Sequence, residues 1–386
     1  MPDIVGSLNP ILHLRTRFAD VTDPRVERTK AHPLLDILTI TVCAVLCGAD
    51  NWVDIETFGQ AKRAWLEQFL LLPQGIPSHD TFGRVFARLN PEQFQTCFQT
   101  WVQDLVAASG DQLRGVVALD GKCLCGSRAT EAGKGPLYLV SAWADANRLV
   151  LGQVAVDAKS NEITAIPALL NLLDLTGCIV TIDAMGCQTA IAQQITAAEA
   201  DYVLALKGNH STLHQDVQLM HAAAERTGFR HLQHQTLPAW VEKDHGRLET
   251  RRYWLVDDPA YLRYLNRENA WAGLRGIGIV QAEREVQGVT TTETRYYLCS
   301  VTDVREFERA VRGHWGIENK LHWVLDVAFR EDANRTRQGD SAQNLSMVRH
   351  LALNMLRQDK TGKGGIKTKR LRAGWDERYL LQVLRG

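Results

Sequence analysis

The hydrophobic period changes at Val116, and that change constrains the fold more than any other feature of the chain. Before it, apolar residues recur at helical spacing. After it come three β-rich runs, "GVVALDG", "LYLVSAWADA" and "RLVLGQVAVDA", separated by turn-forming residues, which predict an antiparallel meander. A helix, "SNEITAIPALLNLLDL", follows with Ser160 as its candidate cap. Next come the short apolar strand "CIVTIDA" (178–184), a helix over about 187–199, and a second buried strand, "DYVLALKGN" (201–209). Strands that are apolar throughout need cover on both faces. A meander followed by alternating strand and helix therefore predicts an α/β fold, a mixed sheet with helices on both sides.

The flanking regions differ in period and charge. Residues 1–110 read as a helical N-terminal domain: an apolar run over 34–48, a helix near Val53–Leu71, a third opened by Ser78 in "PSHDTFGRVFARL", and a fourth after Pro91. The turn "LPQGIPSHD", with Arg84 and Arg88 on the helix after it, suits a DNA-reading helix-turn-helix, but helical bundles use such turns routinely. From about 225 to 300 the chain is strand-rich again ("ETRRYWLVDD", "IGIVQAERE", "TRYYLCSV"), which reads as a β-rich insertion in a core spanning 111–348. Residues 349–386 read as a basic C-terminal tail. Between Arg349 and Arg372 stand eight basic residues and one acid, Asp359, fitting either a solvated tail or one that contacts phosphates. Over the whole chain 44 basic and 44 acidic side chains cancel, so global charge does not point to a polyanionic partner.

The eight cysteines are scattered without paired CxxC motifs; Cys43 and Cys47 share a helical face and Cys123 and Cys125 form a lone CxC. They read as reduced thiols of a cytoplasmic protein. The most apolar run, Leu34 to Gly48, contains Asp36 and is too short to span a bilayer, and the N-terminus lacks a secretory pattern, so no membrane partner is expected.

Three acids stand out. Asp120 in "VVALDG" and Asp183 in "VTIDAMG" close apolar strands, at the sheet edge where α/β proteins commonly bind ligands. Either one alone is equally well a turn or cap residue. The third lies in "RGHWGIENKLHWVLDVAFRED" (312–332). At ~100° per residue, Ile317, Leu321, Val324 and Ala328 form a core-facing stripe, with Trp323 and Val327 on the opposite side. His314, Glu318, His322, Leu325 and Phe329 form a stripe at the core's margin, so Glu318 points beside the sheet. Asp326, about a quarter turn away, is the reserve third acid.

Carboxylates ~4 Å apart repel by about 4 kcal/mol at an effective dielectric near 20, which a divalent cation offsets. Hard oxygen ligands suit Mg²⁺ or Mn²⁺, and two such ions ~3.5–4 Å apart serve phosphodiester chemistry. The four-residue spacing of His314, Glu318 and His322 also allows a zinc site. That reading lacks HExxH and leaves both aspartates unexplained.

The segments "ALDGK", "TIDAMG" and "RGHWGIENKLHWVLDV", in that order and with a β-rich insertion before the third, resemble DDE-type insertion-sequence transposases. The nearest branch is the ISAs-type group that includes the H-repeat-associated proteins. "HPLLDILTITVCAVLCGADNW" and "GIPSHDTFGRVFARL" resemble that group's N-terminal associated domain; "KSNEITAIPALL", "YVLALKGN" and "HGRLETR" resemble its core and insertion. The resemblance implies a ribonuclease-H-like core in which Asp120, Asp183 and Glu318 hold two Mg²⁺ (or Mn²⁺) ions, Asp120 bridging both. It implies hydrolytic nicking at transposon ends and attack of the freed 3′-hydroxyl on target DNA. The implied partners are double-stranded inverted-repeat ends and target DNA, bound by a homodimer in the bacterial cytoplasm at the nucleoid.

The Tyr-Arg-Glu-Lys signature of related enzymes is replaced here by Val311, His314 and Leu325 around Glu318, leaving Arg312, His314 and Asn319 as candidate DNA contacts. Cys125 stands where the group often has a basic residue. Lys122, Lys207 and Asn209 lie just beyond strand ends, where they could hold phosphates; solvated turn residues would look the same. Arg247, Arg251 and Arg252 in the insertion either grip DNA or guard an edge strand. "TGKGGIKTK" lacks the spacing of a phosphate-binding loop, so no nucleotide cofactor is expected. Two other functions fit the same residues: a DNA-binding remnant that has lost mobility, and a metal-dependent nuclease that cuts without joining.

Overall fold

A computed structural model describes residues 14–108, 113–128, 135–156, 162–244 and 247–385. The expected cap Ser160 lies outside the described residues, as do the side chains of Asp244 and Arg247.

The longer N-terminal helices are α1 (Leu34–Leu46), α2 (Trp52–Ala61), α3 (His79–Phe86) and α4 (Pro91–Ala108); the helix expected near Val53–Leu71 breaks at Lys62 and resumes only for the turn Arg63–Leu66. Their starts follow from local chemistry. Asn51 accepts from the Asp54 amide at 3.0 Å, Ser78 accepts from the Thr81 amide at 3.4 Å, and Pro91 occupies the first position of α4. Helix α1 is apolar on nearly all sides and accordingly buries every residue but Leu35.

The strands are β1 (Gly115–Leu124), β2 (Leu137–Ala144), β3 (Leu149–Ala155), β4 (Cys178–Ile182), β5 (Asp201–Leu206), β6 (His234–Thr236), β7 (Trp240–Asp244), β8 (Arg247–Val256), β9 (Gly276–Val286) and β10 (Val289–Cys299). They form one sheet in the order β3-β2-β1-β4-β5-β10-β9-β8-β6, with β7 paired to β8. β1 to β3 are the antiparallel meander, and β4 and β5 run parallel to β1. Helix α5 (Glu162–Asn171) precedes β4, and α6 (Thr189–Ala197) joins β4 to β5. This is a ribonuclease-H-like mixed sheet preceded by helices.

The β-rich insertion, which begins after helix α7 (Ser211–Thr227), is fused to that sheet rather than set apart from it. β10 pairs antiparallel with β5, Leu298 opposite Leu204, and β9 and β8 continue outward; helix α8 (Pro259–Leu265) connects β8 to β9. The β9–β10 hairpin turns at Gln287 and Gly288, whose φ values of 51° and 79° match the right-handed twist of a two-residue loop.

Alternation along the central strands supplies two faces. Val116, Ile179 and Val203 pack with Phe307, Ala310 and Val311 of helix α9 (Val304–Gly316). Val117, Val180 and Leu204 join the main core on the other side. Helix α9 runs directly into a wider π-type turn, Ile317–His322, then α10 (Trp323–Phe329), α11 (Ser341–Gln358), α12 (Ile366–Trp375) and α13 (Glu377–Val383).

The expected basic tail over 349–386 is not a tail. Arg349, Lys369 and Arg370 are buried, and α11 is buried along most of its length. The Arg370 guanidinium donates to the carbonyls of Val45 (2.9 Å), Ala49 (3.0 Å) and Ala328 and to the Asp50 carboxylate (3.0 Å). Asn354 on α11 accepts from the Val150 amide at 2.8 Å and donates to its carbonyl at 2.9 Å, satisfying the outer edge of β3. The N-terminal and C-terminal helices thus share one core with the sheet.

Candidate metal centre

The parallel register of β1 and β4 pairs Leu119 with Ile182. One residue further on each chain is an aspartate, so Asp120 and Asp183 emerge side by side. The expectation that both close their strands holds for Asp183 only. β4 stops at Ile182, whereas β1 runs on to Leu124 against β2. Asp120 therefore sits mid-strand, exposed along one flank by the end of its neighbour. Asp183 Oδ1 accepts from the amides of Met185 (3.0 Å) and Gly186 (3.4 Å), fixing its carboxylate in the turn after β4.

Helix α9 brings the third acid in from one face. Two glycines let it lie close to the sheet. A β-carbon at Gly313 would stand 2.9 Å from Val116 side-chain atoms, and one at Gly316 would stand 2.3 Å from Asp145 Oδ1. The core-facing and outward stripes hold in large part, with Ile317, Leu321 and Ala328 buried, Val324 half-buried, and Trp323 and Val327 exposed; the margin stripe does not, since Leu325 and Phe329 are buried in the core and Glu318, expected beside the sheet and out of open solvent, is exposed. The π-type turn then presents Glu318 and His322 together. His322 Nδ1 lies 3.5 Å from Asp120 Oδ2 and 3.4 Å from Glu318 Oε2, and ligand atoms of all three residues fall within 4.8 Å of one another.

The electrostatics follow from this crowding. Burial, reinforced by Glu318 and Asp183 and opposed by His322, pushes the Asp120 carboxyl up to about 6. Glu318 is pulled down, first by its hydrogen bond with His322. Asp183 is outside the 4.8 Å group but close enough for its charge to raise Asp120. Crowded carboxylates with an imidazole beside them, and with the nearby Lys122 already paired to Asp326, are a donor set that fits a divalent cation.

A fourth acid was not singled out from the sequence. Glu162, in the first turn of α5, presses its carboxylate against Gly121, where an added β-carbon would lie 2.0 Å from Oε1. Burial and then Asp183 raise its pKa, while His322 lowers it. Its sequence signal, an acid opening a helix, is that of any first-turn carboxylate.

Several candidates are placed elsewhere. Lys122 is neither a solvated turn residue nor an open phosphate contact. Its ammonium is largely buried, donating to the His322 carbonyl at 3.3 Å, pairing with Asp326, and lying 3.9 Å from Glu331 Oε2. The reserve acid Asp326 is thereby matched with a lysine. His314 faces the sheet, 3.1 Å from Thr181 Oγ1, and burial lowers its pKa; the zinc set of His314, Glu318 and His322 does not assemble. Asn209 donates to the Ala184 carbonyl at 2.6 Å, tying together the turns after β4 and β5. Arg251 pairs with Glu249 at 2.7 Å and Arg252 with Glu283. Arg312 reaches Glu308 at 3.5 Å and stacks 4.8 Å over the Trp240 ring. Lys207, whose charge acts on Glu293, and Asn319, next to Glu318 in the chain, are exposed, and the side chain of Arg247 lies outside the described residues. Among the described residues no helix is long and apolar enough to cross a membrane.

Comparison with known proteins bears on this arrangement. Residues 111–355 match the family model described as "Transposase DDE domain", and residues 15–102 match "DDE_Tnp_1-associated". The chain is 40% identical over 360 residues to the "H repeat-associated putative transposase YhhI" of Escherichia coli K12, covering 92% of this chain and 93% of that one. It is 39% identical over 369 residues to "Putative transposase YncI" of Escherichia coli O157:H7, covering 94% and 92%. A solved piggyBac transposase synaptic complex with hairpin DNA covers 96% of this chain and 77% of its own, at 9% identity and a TM-score of 0.40.

Proposed function

We propose that this chain, which belongs to the DDE transposase family, cleaves DNA at the ends of an insertion sequence and transfers the freed strand into target DNA. What supports the reading is that Asp120 lies beside Glu318 and His322, while Asp183 leaves the neighbouring parallel strand one residue after the Leu119–Ile182 pair. Of the three acids, two come from adjacent parallel strands and one from the helix laid across them, though they are separated by up to about 200 residues in sequence. A divalent ion is implied by the family, and we assign its holding to these three carboxylates. When bound, such ions activate a water or a 3′-hydroxyl and stabilise the leaving oxygen of a phosphodiester.

The chain's own residues orient that chemistry. Asp120, common to both sides of the cluster, sets its centre, and the turn amides of Met185 and Gly186 hold Asp183 in one orientation. Asn209 braces the same turn. We assign contacts with flanking DNA phosphates to the exposed Lys207 and Asn319. We take the acting unit to be a homodimer on double-stranded DNA, working in the bacterial cytoplasm, with two ions per site.

The test is cleavage of DNA carrying the flanking inverted repeats, in Mg²⁺. Asp120→Asn, Asp183→Asn and Glu318→Gln are expected to lose at least a thousandfold in cutting, while Asp326→Asn, which loosens Lys122 without removing a carboxylate ligand, loses far less. Equal cutting by Glu318→Gln and wild type would remove Glu318 from the site. Nicked ends that never join target DNA would instead identify a nuclease.

A further inference from the structure

We infer that His322, through Nδ1, is a direct ligand of the ion held between Asp120 and Glu318, which makes this centre a mixed nitrogen and oxygen site. The inference rests on the metal-centre reading above and adds to it a residue type that an all-carboxylate site lacks.

The first support is distance. His322 Nδ1 stands 3.5 Å from Asp120 Oδ2 and 3.4 Å from Glu318 Oε2. Charge-assisted hydrogen bonds close to about 2.7–2.9 Å. Two neighbouring ligands bonded at ~2.1 Å to one ion stand about 3.0 Å apart in the octahedral geometry of Mg²⁺ and Mn²⁺ and about 3.4 Å apart in a tetrahedral one. The imidazole thus makes only a long hydrogen bond to Glu318 and stands no closer to Asp120, a spacing nearer that of two ligands of one ion than that of a tight ion pair.

The second support is how firmly the ring is held. His322 is only 5% exposed, although Glu318 one turn earlier is open to solvent. Its carbonyl accepts from Lys122 Nζ at 3.3 Å, and Lys122 is in turn anchored by Asp326 and Glu331. The ion pair that removes Lys122 from the phosphate contacts therefore clamps the backbone of the proposed ligand. The ring's other nitrogen, Nε2, is buried with no protein hydrogen bond among the described residues, so burial and the clamped backbone, not an outer hydrogen bond, hold the ring.

The third support is the backbone. Residues 317–322 form a π-type turn between α9 and α10, a local widening that often marks functional sites. Here it delivers an acid and an imidazole four residues apart to the same side of Asp120. Asp183, outside that group, is left to the second ion, with Glu162 beside it. An imidazole ligand shifts preference from Mg²⁺ toward Mn²⁺ and later transition metals.

The experiment uses the full-length protein and Mn²⁺, read by electron spin-echo envelope modulation, which detects nitrogen bonded to the metal without any catalytic turnover. Wild type is expected to give an imidazole ¹⁴N signal that becomes a ¹⁵N signal when histidine is labelled. His314→Gln keeps the signal and His322→Gln loses it, with Mn²⁺ binding weakened about tenfold and binding of Mg²⁺ weakened less. The labelled wild type guards against a variant that fails to fold. Mn²⁺ bound in an Asp120-dependent way without a nitrogen signal overturns this inference alone. Mn²⁺ that does not bind, or binds equally to Asp120→Asn, overturns the metal-centre reading and this inference with it.

Discussion

Asp120 carries the largest electrostatic load at the centre. Its ordinary value is 3.8, and burial beside Glu318 and Asp183 pushes it up to about 6. An acid with a raised folded value binds its proton more tightly in the folded state. It costs nothing below about pH 4, where both states are protonated; the cost grows as pH rises to 6 and is complete above that. At about 1.4 kcal/mol per tenfold, the full cost is on the order of 3 kcal/mol. Asp120→Asn is therefore expected to unfold at higher urea than wild type in EDTA above pH 6, the gap closing toward pH 4. A gap of constant size across that range would show that charge is not its cause. At this scale the sequence nominates Asp120, Asp183 and Glu318 as candidates, but neither Glu162 nor the partners of the basic residues. Lys122 meets Asp326 across 204 residues and His314 meets Thr181 across 133, distances over which no local pattern carries information.

Helix α9 and its continuation decide where the third carboxylate arrives. The close approach at Gly313 is against the β-branched Val116, a buried side chain that cannot swing away. Gly313→Ala is expected to push α9 off the sheet, costing about 1–3 kcal/mol in denaturation experiments and more than tenfold in cutting. Val116→Ala in the same chain is expected to restore cutting. If Gly313→Ala cuts as well as wild type, the helix position does not limit the site. The apolar and exposed stripes of this segment were legible because helical phase is a local property. The π-type turn was not, since it comes from the packing around it rather than from a residue pattern.

The whole molecule is closed by its C-terminal helices. Arg370 satisfies the carbonyls of Val45, near the end of α1, and Ala328, near the end of α10, along with Ala49 and Asp50. Arg370→Ala is expected to cost about 3–5 kcal/mol and to lower the thermal midpoint by several degrees, with cutting lost in parallel. Unchanged stability would mean that the helices after Gln358 add little to the core.

What the sequence determined by itself was the order of elements and the short list of acids. The change of period at Val116 specifies strands after helices, and alternation specifies which strand faces are apolar; both are properties of neighbours along the chain. The tertiary structure decided which charges meet. A cluster of eight basic residues reads as a solvated tail until the fold shows Arg349, Lys369 and Arg370 bonded inside the core. His314 and His322 sit on one helical stripe, yet the sheet takes the first and the acids take the second. Whether a charge is paired, buried or offered to a ligand depends on what chain closure brings beside it, and that is set by packing over hundreds of residues rather than by the residues next in line.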